Sequence, residues 1–130
     1  MVNQPLIFII EDNPTNLRLV YDLLTAHGFY VSYSSGVGDV VDLIMDQKPD
    51  LILMDISLKD QSGLDLTRKL KDNPFTAQIP VVALTAHTTE QDKANALAAG
   101  CIGFIPKPIN TRKFPFQILQ LIKDIRDEKT

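Results

Sequence analysis

Four short apolar runs in this chain lead into residues that can do chemistry. Leu6–Ile10 runs into Glu11-Asp12, Leu51–Met54 into Asp55, Val81–Leu84 into Thr85, and Ile102–Ile105 into Pro106-Lys107-Pro108. Taken singly, each residue has an ordinary explanation. Asp12 could cap a helix, Asp55 could be a loop carboxylate, Thr85 is a good strand residue and Lys107 could be solvated. Their joint placement at the ends of apolar runs is what those explanations do not predict. If Asp12 and Asp55 come within roughly 4–5 Å, their repulsion is roughly 4 kcal/mol at an effective dielectric near 20. Glu11 adds to it. Such a cluster calls for a cation, and carboxylate oxygens without His or Cys nearby favour Mg²⁺ or Mn²⁺ over zinc. Mg²⁺ is commonly held by one or two carboxylates together with phosphate oxygens, so the trio reads as half a site completed by a phosphoryl group.

Lys107 and Thr85 supply the other half. Phosphoryl transfer needs alignment and neutralisation of charge on the phosphoryl oxygens, which a metal, an ammonium and a hydroxyl together provide. Asp55 can be the nucleophile, since carboxylates form aspartyl phosphates. An ordinary Asp pKa of ~3.9 leaves it ionised at neutral pH, and no general base is required. The two histidines fit no catalytic role: His27 ends a helical pattern, and His87 stands near Thr85 without a partner residue in the sequence.

The elements that must position these residues can be read from the same chain. Apolar β-branched runs at Leu6–Ile10, Tyr30–Tyr33, Leu51–Met54, Val81–Leu84 and Ile102–Ile105 predict strands, most of them covered on both faces. Between them fall helical spacings: Leu17, Val20, Tyr21, Leu24; Val37, Val40, Val41, Ile44; Leu66, Thr67, Leu70; Ala94, Leu97, Ala98; and Phe114, Ile118, Leu121, Ile122, Ile125. Asn13-Pro14 has the form of a helix start, and Thr88 with Gln91 has capping-box spacing. Gly28 and Gly100 stand where helices end, and Pro49 and Pro80 block helix continuation before the third and fourth strands. Pro115 falls inside the last helical pattern and predicts a late start or an early bend. The result is an α/β chain of five βα units, (βα)5, whose parallel sheet carries helices on both faces. In such sheets ligands bind beyond the carboxyl ends of the strands, where the reactive residues stand.

Composition excludes several classes. The 130 residues are one domain's worth, with an expected core from about 6 to 126. A charged fraction of 22% with 45% hydrophobic residues is not that of a disordered tail, and one cysteine builds no disulfide scaffold. A net charge of −3 with no basic run argues against nucleic acid or an anionic membrane surface as a partner. No segment has the pattern of a signal peptide or the length of a bilayer span, so the expected location is the cytoplasm.

At this point the residues resemble a family. Ile-Ile-Glu-Asp-Asn-Pro, Leu-Ile-Leu-Met-Asp55, Ala-Leu-Thr85-Ala and Phe104-Ile-Pro-Lys107-Pro108 are similar, in order, to the motifs of receiver domains of bacterial two-component response regulators. The resemblance runs roughly from Leu6 to Ile125. It implies a flavodoxin-type, CheY-like doubly wound sheet with strand order 2-1-3-4-5. It implies Asp55 as phospho-acceptor, Asp12 as a direct Mg²⁺ ligand, Glu11 acting through a metal-bound water, and the Ser57 carbonyl as a third ligand. Lys107 would pair with the acceptor, Thr85 would swing to the phosphoryl oxygen, and Phe104 would turn inward with it. The Lys107-Pro108 bond would be cis.

The implied partners are a histidine kinase or histidine phosphotransfer protein and a downstream protein on the face of helix 4, strand 5 and helix 5. The implied state is a monomer or a weak, phosphorylation-dependent dimer, not a classical enzyme. With helix 5 ending near Arg126, the expectation is a stand-alone regulator or a hybrid-kinase receiver with no output domain. Three departures stand out. Lys59 occupies a position where the family usually has proline, although Gly63 beyond it is kept; Pro115 alters the start of the last helix; and Phe104 replaces a frequent tyrosine. Two other readings compete. A phosphorylation-independent interaction module would usually lack the acidic pair, the acceptor or the lysine. An aspartyl-phosphate phosphatase of the haloacid dehalogenase kind would carry Asp-x-Asp after its strand, whereas Asp55 is followed by Ile-Ser-Leu.

Overall fold

Alternation of side chains along the central strands organises the molecule. A computed structural model describes residues 4–128. Its elements are β1 (Leu6–Ile10), α1 (Pro14–Ala26), β2 (Tyr30–Ser34), α2 (Val40–Gln47), β3 (Leu51–Asp55), α3 (Gly63–Asp72), β4 (Val81–Thr85), α4 (Glu90–Ala99), β5 (Gly103–Pro106) and α5 (Phe114–Glu128). Ile7, Ile9, Leu51, Leu53, Val82 and Leu84 point to one face, where Val20 and Leu24 of α1 and Phe114, Ile118 and Ile122 of α5 meet them. Phe8, Ile10, Ile52, Met54, Val81 and Ala83 point to the other, against Val40 and Ile44 of α2, Leu66 and Leu70 of α3 and Ala96 of α4. A strand buried on both sides has to be apolar at every position, which is why β1, β3 and β4 read as unbroken runs. Each fully buried aliphatic side chain contributes about 1.5–3 kcal/mol.

All strand pairs are parallel, in the order β2-β1-β3-β4-β5. The (βα)5 flavodoxin/CheY-like architecture expected from the sequence is the one observed. β2 is an edge strand, and its Tyr30 and Tyr33 are exposed, so this run is not covered on both faces. Among the described residues no helix is long and apolar enough to cross a membrane.

Several local expectations are corrected. α2 begins at Val40 behind an Asp39 cap, leaving Val37 in the preceding loop and exposed. The α4 cap lies one residue later than the Thr88/Gln91 spacing suggests. Thr89 accepts from the Asp92 N–H, and the Asp92 carboxylate accepts from the Thr89 N–H and hydroxyl. A carboxylate at the third helical position serves this reciprocal motif better than the amide read from the sequence, because it also complements the helix dipole. The buried face also differs from the expected one: Ala96 and Ala99 are buried while Ala94, Leu97 and Ala98 are exposed. Pro115 is the second residue of α5, in the first turn where helix N–H groups lack partners, so it neither delays nor breaks the helix.

Candidate functional site

Strand register brings the reactive residues together. Ile10 pairs with Met54, so the next residues, Glu11 and Asp55, stand abreast as the two strands end. Thr85 pairs with Pro106, one residue before Lys107. Backbone bonds continue past the strands: Glu11 N donates to Ser34 O, Ile56 N to Leu84 O, and Lys107 N to Thr85 O. The acids therefore sit on rigid extensions of the sheet. Asn13 caps α1 by accepting from Asn16 N at 3.0 Å, so Asp12 is not consumed as a cap.

One carboxylate oxygen from each of Glu11, Asp12 and Asp55 lies within 4.8 Å of the others. Glu11 and Asp55 are buried, at 2% and 3% exposure, while Asp12 is half-buried. Lys107 Nζ answers them, 2.9 Å from Glu11 Oε1 and 3.2 Å from Asp55 Oδ1. Ser57 N donates to Asp55 Oδ1 at 3.0 Å, and Lys59 N donates to Asp12 Oδ2 at 2.6 Å. The cleft is lined by these residues together with Asn13, Asn16 and Ala86. The Lys107-Pro108 bond is cis.

Electrostatics separate the two buried acids. Burial pushes Asp55 up. The Glu11 contact, the Ser57 N–H and Lys107 outweigh it and hold Asp55 below the ordinary carboxylate range. Glu11 goes the other way: burial and then the contact with Asp55 raise it against the pull of Lys107. Lys107 itself is penalised by burial, yet the two carboxylates hold its ammonium above the usual lysine value.

Lys107 thus neutralises a buried pair of acids, and its removal has a predictable cost. Lys107→Ala should lose about 2 kcal/mol, less than the 3–5 kcal/mol of a fully buried pair because the lysine is partly exposed. Without its ammonium, the raised Glu11 carboxyl rises further. The folded variant then binds more protons than the unfolded chain, and its stability falls as pH rises through that value. Urea unfolding in EDTA should therefore show a deficit that is largest near neutral pH and shrinks on acidification. A deficit constant with pH would refute this account.

Thr85 and Phe104 reach the same edge without joining the acids. The Thr85 hydroxyl oxygen accepts from His87 N at 2.9 Å and lies 3.3 Å from His87 O, turned into its own loop. Phe104 is half-buried, and Lys93 Nζ stands 5.1 Å from its ring centroid. A small cavity lined by Ile56, Leu64, Thr85, Ala96 and Phe104 lies between them. His87 is exposed, and His27 caps α1 with its Nδ1 3.0 Å from Leu23 O.

Sequence reasoning missed three contacts here. They are the Lys59 N–H on Asp12, Gln61 Nε2 on Gly36 O at 2.8 Å, and Lys93 over Phe104. The first two join loops far apart in the chain, and no local pattern announces them.

A parallel 2-1-3-4-5 sheet with three acids and a lysine at its carboxyl edge defines a doubly wound α/β domain, and its first βα turn carries Glu-Asp-Asn-Pro rather than the glycine-rich turn of a dinucleotide site. Residues 7–118 match the sequence profile described as the response regulator receiver domain, and the chain belongs to that family. It is 39% identical over 108 residues to the polar-differentiation response regulator DivK of Brucella anthropi, covering 83% of this chain and 88% of the relative. A CheY-like receiver domain from Methanospirillum hungatei superposes with a TM-score of 0.86 at 23% identity, covering 97% of this chain and 99% of that one, which bears on the fold alone. The receiver domain of a sensor histidine kinase from Pseudomonas aeruginosa, crystallised with a magnesium ion coordinated in its active-site cleft, has 27% identity and a TM-score of 0.82. That match covers 93% of this chain and 99% of the other. Receiver domains are signalling switches rather than classical enzymes.

Proposed function

We propose that this protein is a phosphorylation-switched receiver of a two-component phosphorelay, with Asp55 as the phospho-acceptor. The observation that carries the reading is the acidic trio within 4.8 Å, with the Lys107 ammonium in contact with two of its members. The donor set is all carboxylate oxygen, joined on this reading by the Ser57 carbonyl, and it fits a hard divalent cation such as Mg²⁺ or Mn²⁺. Asp12 and Asp55 would hold the ion directly and Glu11 through water. Once bound, the ion supplies charge neutralisation for the phosphoryl oxygens.

On this reading the chain's own residues carry the transfer. An Asp55 oxygen attacks the phosphorus of a phosphohistidine on a kinase or phosphotransfer protein. The P–N bond breaks, its electron pair leaves on the imidazole, and the imidazole gains a proton from solvent. Lys107 pairs with the new phosphoryl oxygens. Water later attacks the phosphorus and returns the Asp55 carboxylate and inorganic phosphate. Thr85 leaves its loop contact for a phosphoryl oxygen, and Phe104 moves into the space beside it. Because those contacts exist only in one arrangement, phosphorylation shifts the population toward it. The α4-β5-α5 face then meets a downstream partner in the cytoplasm. Mg²⁺ with acetyl phosphate should add one acid-stable, base-labile phosphate, and EDTA should prevent it; labelling that ignores EDTA would count against the site.

Lys93 bears on the resting position of Phe104. A cation over an aromatic face at a partly exposed site is worth about 0.5–1 kcal/mol. Lys93→Ala should raise the population of the inward ring about threefold before any phosphorylation. Side-chain NMR of Phe104 reads this directly, and identical ring signals in the two proteins would contradict it.

A further inference from the structure

We infer that the main-chain N–H of Lys59 is a positioning group for the cation site, holding the Asp12 carboxylate in place. The inference rests on the proposed metal-dependent reading of the site. Glu11 and Asp55 are anchored by burial and by Lys107, but Asp12 is half-buried. Among the described residues, its carboxylate accepts one hydrogen bond, from Lys59 N to Oδ2 at 2.6 Å. The donor comes from the loop between β3 and α3, which is pinned by Gln61 Nε2 on Gly36 O at 2.8 Å and by Gly63 N on Ile56 O at 3.1 Å. A firmly held loop thus presents a fixed donor to the least constrained acid of the trio.

The residue type matters because of the backbone. Proline, usual at this position in the family resembled, has no N–H and could not make this bond. An ionised carboxylate has two oxygens and about four lone-pair sites, so one N–H leaves room for a cation. Hydrogen bonds to ligating carboxylates orient them, and their loss typically weakens metal binding by about 10–100-fold. The positively charged side chain of Lys59 is exposed and is not the agent.

Two variants separate amide from charge. Lys59→Ala keeps the N–H and loses the charge; Lys59→Pro loses both. In MgCl₂ titrations followed by ¹H–¹⁵N NMR, wild type and Lys59→Ala should saturate within about twofold of each other, as expected for an exposed charge. Lys59→Pro should need about tenfold more Mg²⁺. The Lys59 amide of the wild type should stay protected from exchange at Mg²⁺ saturation. If Lys59→Pro does not fold by circular dichroism, that amide signal decides. Three results would overturn the inference while leaving the metal site intact: equal or tighter binding by Lys59→Pro, equally weak binding by Lys59→Ala, or release of the Lys59 amide on saturation. Absence of any saturable Mg²⁺ shift in the wild type overturns the metal reading, and this inference with it.

Discussion

Asp55→Ala should reduce phosphoryl incorporation from a small phosphodonor to background. Asp55 belongs to a buried pair and is held below the ordinary carboxylate range although burial alone pushes it up. Its partner Glu11 is shifted the opposite way and is tied to Lys107 at 2.9 Å. Asp12 is turned to Lys59 N. Asp55 combines a lowered carboxyl with placement beside the lysine. Asp55→Asn keeps the shape and should be equally inert. Mass spectrometry under acidic conditions, then after mild base, checks the label, and a thermal melt checks the fold. Undiminished labelling of Asp55→Ala would move the acceptor elsewhere; low labelling in a variant that had also lost its fold would be uninformative, which is why the Asn variant accompanies it.

Gly63→Ala should be among the most damaging single-methyl additions in the chain. A Cβ at Gly63 would collide with the Asp55 carbonyl oxygen and lie 2.8 Å from Ile56 Cα and 3.0 Å from Asp55 C. All three are backbone atoms at the end of a buried strand, so no flexible side-chain tip can swing away. Inserting a methyl into a packed site typically costs 1–3 kcal/mol, and rigid backbone neighbours place this case at about 3 kcal/mol. For a domain of this size that is a fall of about 10 °C in Tm. The strain falls on Asp55 itself, so phosphorylation should fall further than the lost stability accounts for. Calorimetry, with labelling measured well below the variant's Tm, separates the two effects. A melt within a degree or two of wild type would show that the β3–α3 junction yields more readily than its contacts imply.

Gly63 illustrates what could and could not be read from the chain. Its presence after Asp55 was visible, but that α3 crowds β3 there is a property of packing. The β1, β3 and β4 runs were legible because burial on both sheet faces forces every position to be apolar. α4 was misread because a helix of small residues has almost no amphipathic contrast. Its buried residues are Ala96 and Ala99, whose small side chains give the pattern no apolar stripe to follow. β2 reads like the other strands, and only the strand order shows it to be an edge.

The acids, the threonine and the lysine are written at the ends of apolar runs, and chain chemistry alone establishes that they can share one sheet edge. Their identity and order along the chain are local facts, set by strand periodicity and by where each run stops. Tertiary structure decides the rest. The register that puts Glu11 beside Asp55, the reach of Lys107 to both and the Lys59 N–H on Asp12 join segments distant in sequence. Such contacts depend on how two separately formed elements dock, and docking is governed by packing of the whole core rather than by neighbouring residues.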